Sequence, residues 1–319
     1  MQQFYDIFNG DADGICALQQ LRLVEPRATV LVTGVKRDVR LLERVAAAPG
    51  DDLTVLDISL QTNAADLARL LAAGARIRYF DHHAAGEVPR HAALKTYINT
   101  SPDICTSLIV DGYLDGRHRA WAVVAAFGDN LPGPARRAAG GLDLEPAELE
   151  RLRELGECIN YNAYGETVED LHYHPADLFE TLSHYTNPLD FIEGEPVLEV
   201  LRSAMADDYD RAAGLEPAAA TGATAVFVLP DAAWSRRIQG FFANRLAQRH
   251  PKRAHALLVG RPGGYTVSVR APMENPRGAD RLCSQFETGG GREGAAGINR
   301  LPEADYQRFV DAFIKAFPA

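Results

Sequence analysis

Through the first third of the chain, short apolar runs alternate with segments of helical period, and the best-defined runs end in acidic or histidine residues. Tyr5-Asp6-Ile7-Phe8, Leu53-Thr54-Val55-Leu56 and Ile77-Arg78-Tyr79-Phe80 have strand length, and residues 28–35 add a β-branched stretch. Between them, residues 14–23, 39–48 and 62–73 have helical spacing. The second stops at Pro49-Gly50 and the third at Gly74. This βαβα order predicts a doubly wound, mostly parallel sheet. Asp11-Ala12-Asp13-Gly14, Asp57 and Asp81-His82-His83 then fall just beyond three strand ends, where open parallel sheets form their ligand crevice.

Further along, residues 103–114 read as helix and 121–127 as a buried helix that delivers Gly128-Asp129-Asn130. Residues 145–185 are helical and polar, 195–213 form a long helix, and 214–222 are small residues with a proline. The pattern then restarts: strands at 223–229, 255–259 and 265–270, helices at 234–248, 277–286 and 305–317. The predicted organisation is a first α/β domain over 1–190, a helical connector and linker over 191–221, and a smaller α/β domain over 222–319. A cleft between the two domains is the expected active site.

Charge changes this picture in one respect. A formal net charge of −10 argues against binding long duplex DNA, which needs many Lys and Arg, but leaves room for a short substrate. Cys16, Cys105, Cys158 and Cys283 are scattered and read as free thiols in a reducing compartment. Asp6, Asp11 and Asp13 interrupt any apolar leader, and residues 120–127 are too few to span a bilayer. A cytoplasmic protein without membrane contact is expected.

Several carboxylates gathered at strand ends would repel one another unless divalent cations neutralised them. Alternate residues of an extended chain point the same way, so Asp11 and Asp13 can face one site, and Gly14 permits the tight turn. Taken alone, Asp-x-Asp-Gly also marks turns and calcium loops, although the late Glu of a calcium loop is absent. Asp57 alone could simply cap a helix. Asp81 beside two histidines offers a nitrogen ligand, a phosphate donor and a carboxylate that fixes an imidazole tautomer. Thr106-Ser107 reads as structural, as do His172, His174 and His184.

Asn9-Gly10-Asp11-Ala12-Asp13-Gly14, Asp57, Asp81-His82-His83 and Gly128-Asp129 together resemble, in order and spacing, the four motifs of the DHH phosphoesterases. Val267-Ser268-Val269-Arg270, followed by the run from Gly289 to Gly297, resembles the substrate domain called DHHA1. The resemblance implies two divalent ions, Mn²⁺ or alternatively Mg²⁺. Asp57 would bridge them, Asp11 would hold one, and Asp13, His82 and Asp129 the other. His83 would contact the scissile phosphate, with Asp81 acting behind it. Gly289, Gly290 and Gly291 would offer backbone N–H groups to an anion, and Arg270 and Arg292 would hold the substrate.

Two positions depart from the family pattern. Asn9 replaces an expected carboxylate and would be a weaker, neutral metal ligand. Arg292 stands where many relatives have His. The expected activity is hydrolysis of phosphoester bonds in short oligonucleotides or a nucleoside bisphosphate. Alternatives are cyclic dinucleotide hydrolysis, single-strand exonuclease action, or a non-catalytic nucleotide sensor. A homodimer is compatible with the sequence.

Overall fold

The structure, a computed structural model, describes residues 2–318. By internal contacts the chain divides into two units between Arg202 and Ser203.

In the first unit the chain runs β1 (Phe4–Phe8), α1 (Ala12–Val24), β2 (Val30–Val32), β3 (Asp52–Leu56), α2 (Ala64–Ala72), β4 (Arg76–Asp81) and β5 (Leu94–Ile98). The sheet order is β2-β1-β3-β4-β5, and every pairing is parallel. All five strands therefore finish on one edge. From β1 the chain passes outward to β2, then returns to the other side of β1 for β3. The space beyond the ends of β1 and β3 is thus the topological switch point, where such sheets place ligands. The sequence pattern missed β5, because Leu94-Lys95-Thr96-Tyr97-Ile98 is half polar. It is an edge strand with little full burial.

α3 (Thr106–Tyr113), α4 (Arg119–Gly128), α5 (Pro132–Ala139), α6 (Pro146–Asn162), α7 (Pro175–Leu182) and α8 (Pro188–Gly194) follow. The unit boundary then falls inside α9 (Val197–Ala213). On one sheet face, Leu67, Leu70 and Leu71 of α2 pack on Tyr5, Ile7, Leu53, Val55 and Ile77. Each leucine so buried stabilises by about 1.5–3 kcal/mol before entropy is counted. α1 is buried from Ala12 to Arg22 because α3, α4 and α6 all lie against it, which explains its weak amphipathic pattern.

The helix expected over 39–48 is not formed; only Leu41–Arg44 make a single 3₁₀ turn. Side chains of the α2 segment take the backbone groups a helix would use. Asn63 donates to Val39 O at 2.6 Å and accepts from Leu42 N at 3.3 Å. Arg69 donates to Leu42 O at 2.9 Å and Val45 O at 3.0 Å. Tertiary partners therefore satisfy the segment without helix.

In the second unit β6 (Ala219–Ala220), β7 (Thr224–Leu229), α10 (Ala233–Arg249), β8 (Ala254–Arg261), β9 (Gly264–Arg270), α11 (Ala279–Cys283), β10 (Gly289–Gly291), β11 (Ala295–Pro302) and α12 (Tyr306–Ala316) follow in order. The sheet order is β10-β11-β9-β8-β7-β6, and only β7 and β8 run parallel. Val226, Leu258, Val267 and Val269 meet Leu282, Phe286, Phe309 and Phe313 in its core. The glycine run differs from the expected open cradle. Gly289, Gly290 and Gly291 pair antiparallel with Ile298, Gly297 and Ala296 as an edge strand. Gly289 N–H donates to Phe286 O at 2.9 Å, so that amide is already engaged.

Candidate metal centre

The first motif sits where β1 turns into α1. Asp11 is the N-cap of α1: its Oδ1 accepts from Asp13 N at 3.0 Å and Gly14 N at 3.1 Å. Gly14 is needed for close approach, since a Cβ there would stand 2.1 Å from Asn9 O. The Asn9 side-chain amide makes two hydrogen bonds. Its Oδ1 accepts from Asp11 N and its Nδ2 donates to Lys36 O, both at 3.2 Å.

Asp13 is buried in the first turn of α1 and faces the start of α3. Its two carboxylate oxygens accept from Thr106 N and Ser107 N, each at 2.7 Å. A helix N-terminus thus steadies the charge. Thr106 Oγ1 also donates to Asp57 Oδ1 at 3.0 Å. Thr106-Ser107, read from sequence as structural, is therefore part of the centre's support. Their hydrogen-bond partners are far away in the chain, so no local pattern marked them.

Asp57 follows β3 with φ of +58°, and its N–H donates to Phe80 O at 3.0 Å. That left-handed backbone aims the side chain into the switch point. Burial pushes the Asp57 carboxyl well above its ordinary range, and Asp13, Asp11, Asp129 and Asp81 push it further. Asp129 caps the end of α4, followed by left-handed Asn130 at φ +59°. Burial raises Asp129 to about 6, against the lowering influence of Lys36.

His82 follows β4. Its Nδ1 lies 3.1 Å from Ile104 O, and because a carbonyl only accepts, Nδ1 carries the proton. In the neutral ring Nε2 is then the bare nitrogen, and it lies 3.4 Å from Asp57 Oδ1, 3.9 Å from Asp129 Oδ2 and 4.0 Å from Asp13 Oδ2. This is the usual arrangement for a metal-binding imidazole. His83 is nearly half exposed, with Nδ1 2.7 Å from Asp81 Oδ1. Although burial lowers the His83 pKa, its bond to the buried Asp81 raises it overall.

Among the described residues, two sets can hold a metal ion: Asp57, His82 and His83, and Asp13, His82 and Asp129. Within each set the ligand atoms lie within 4.8 Å of one another. The donor chemistry fits a divalent cation. Among the described residues Lys36 is the one permanent cation seen to pair with these carboxylates, bonding Asp11 at 2.6 Å and approaching Asp129 at 3.6 Å. It cannot by itself neutralise Asp13, Asp57 and Asp81 as well. Oxygen ligands with one imidazole suit Mn²⁺ or Mg²⁺ better than a metal preferring thiolates. Cys16 and Cys105, buried nearby, have thiols raised well above the ordinary value by burial and by Asp13.

Arg270, Gly289–Gly291 and Arg292 belong to the second unit. Arg270 lies on β9 opposite Ala295, and its guanidinium donates to Asn244 Oδ1 at 2.8 Å and Ser268 Oγ at 3.0 Å. Arg292 is exposed in the turn between β10 and β11, where its N–H donates to Ala295 O at 2.9 Å.

No protein-family model matches this chain, and no curated protein is similar to it in sequence. Solved structures are similar in fold. An exonuclease RecJ bound to manganese matches at TM-score 0.57 and 18% identity, over 99% of this chain and 91% of that one. The DHH domain of a member of the s1p family of ribosomal proteins matches at 0.64 and 12%, over 98% and 86%. A pGpG-specific phosphodiesterase from Vibrio cholerae matches at 0.53 and 13%, over 98% of both chains. The fold is the DHH-type α/β fold followed by a second domain.

Proposed function

We propose that this protein is a divalent-metal-dependent phosphohydrolase that cleaves ester bonds of short nucleotide substrates. The convergence of Asp13, Asp57, His82 and Asp129 from four separate element ends carries the proposal, because it builds an oxygen-rich site with one imidazole nitrogen facing it. These four are the proposed ligands, with Mn²⁺ the favoured ion and Mg²⁺ the alternative. When bound, such an ion supplies Lewis acidity that offsets charge developing on the phosphoryl oxygens.

The remaining roles belong to side chains. Asp81 holds His83, whose raised pKa suits it to donate a hydrogen bond to a phosphate oxygen. Thr106 and the first amides of α3 fix Asp57 and Asp13, so little reorganisation is needed when charge develops. Arg270 and Arg292 are assigned to holding substrate phosphate through forked hydrogen bonds. The narrower substrate reading is a linear dinucleotide or a nucleoside bisphosphate. It draws on the likeness in fold to a phosphodiesterase specific for pGpG.

A substrate panel in Mn²⁺ tests this: dinucleotides, 3′-phosphoadenosine 5′-phosphate, longer RNA and DNA, cyclic dinucleotides and pyrophosphate. The highest kcat/KM is expected for the dinucleotides or the bisphosphate. Cleavage of long single strands alone would refute the short-substrate reading. Arg270→Ala is expected to raise KM more than it lowers kcat, and a pure loss of kcat would move Arg270 into transition-state stabilisation.

A further inference from the structure

We propose that the Lys36 ammonium takes the place of a second cation in this centre, so that each chain binds one divalent ion rather than two. The inference rests on the metal-dependent reading of the same site and concerns how its charge is balanced. Lys36 Nζ lies 2.6 Å from Asp11 Oδ2, 3.0 Å from Asn160 Oδ1 and 3.6 Å from Asp129 Oδ1. Two of the ammonium's three donors are thus met by Asp11 and Asn160, while Asp129 lies at ion-pair distance. The ring of Tyr164 lies 5.7 Å away on the same cation.

The position is built into the backbone. Lys36 N–H donates to Ala163 O at 2.9 Å, and Lys36 O accepts from the Asn9 amide at 3.2 Å. Asn160 and Ala163 stand at the end of α6, so α6 presents both a backbone anchor and a side-chain partner to this lysine. The Asp11 carboxylate thus has one oxygen capping α1 and the other meeting the ammonium. Asn9 is neutral and uses its amide to hold Lys36 and the turn, not to face an ion. Both sets of residues able to hold a metal omit Asp11. A divalent ion placed at Asp11 would face the ammonium at short range, where like charges repel strongly. Asn9 and Lys36 thus form one device: a neutral side chain where the resemblance implies a carboxylate, and an ammonium against Asp11, together remove the need for a second ion. Lys36 supplies fixed positive charge that does not depend on metal supply.

The test is Mn²⁺ stoichiometry of the full chain by titration calorimetry, with electron paramagnetic resonance to detect coupled pairs of ions. Wild type and Lys36→Arg are expected to bind one ion each, with an uncoupled Mn²⁺ signal. Lys36→Met is expected to bind two, with spin coupling, while circular dichroism shows a native fold. Two ions in the wild type would overturn the Lys36 assignment and leave the metal-dependent reading intact. One ion in a folded Lys36→Met would overturn it equally. If that variant does not fold, the wild-type and Lys36→Arg stoichiometries decide. No ion in the wild type would sink both the assignment and the metal-dependent reading.

Discussion

Asp57 carries the centre's geometry in its backbone. A non-glycine residue at φ +58° costs about 1–3 kcal/mol and persists only where its surroundings enforce it. Asp and Asn tolerate this region better than other residues, so Asp57→Asn tests the charge with the least disturbance of the turn. Thr106 gives a second test. Thr106→Val removes the hydroxyl that orients Asp57 and should weaken Mn²⁺ binding by about 10–100-fold, with a native thermal melt. Unchanged affinity would mean that the hydroxyl is only a packing feature. Asp129 sets a pH dependence. Its folded value of about 6 exceeds its ordinary 3.8. Its contribution to stability is therefore complete below about pH 4 and is lost as pH rises through 6. Cation binding requires the ionised form. Mn²⁺ affinity should fall about tenfold from pH 7.5 to pH 5, measured by calorimetry. An affinity independent of pH would contradict this assignment.

The elements show which parts of the site were legible. Apolar runs ending in Asp or His located β1, β3 and β4 because burial on both faces leaves a continuous pattern, and the motifs followed at their ends. The loop after β2 was illegible, and with it Lys36. Its partners Asp11, Asp129 and Asn160 come from distant segments, and a lone lysine carries no periodic signal. The misread helix over 39–48 has the same cause, since Asn63 and Arg69 override local spacing. Asp129 is positioned by the crossing of α4 and α6, where glycines allow backbone contact. A Cβ on Gly156 would stand 2.1 Å from Val124 O and 2.9 Å from Gly128 N. Gly156→Ala should cost about 1–3 kcal/mol through overpacking. Because α4 ends at Asp129, it should also weaken Mn²⁺ binding. A chemical denaturation series beside a metal titration checks both, and loss of stability with unchanged affinity would detach the crossing from the centre.

At the scale of the whole molecule, the proposed metal ligands all lie in the first unit, while the second has its own sheet and core. No helix among the described residues is long and apolar enough to cross a membrane. A ligand that binds only the folded state stabilises it by about 2.7 kcal/mol at a hundredfold excess over Kd. Calorimetric scans should therefore show Mn²⁺ raising the transition of the first unit and leaving that of the second in place. Equal shifts of both would show that the units unfold together. The carboxylates lie at the switch point, where such sheets place ligands, and the proposed short substrate asks for no broad basic surface on this acidic chain. The most direct measurement is release of mononucleotide from a linear dinucleotide by wild type and Asp57→Asn, each with Mn²⁺ or with chelator. The account predicts hydrolysis by wild type in Mn²⁺ only, and a loss of about a thousandfold or more in Asp57→Asn. Equal hydrolysis by wild type and Asp57→Asn, or hydrolysis that survives the chelator, would contradict it.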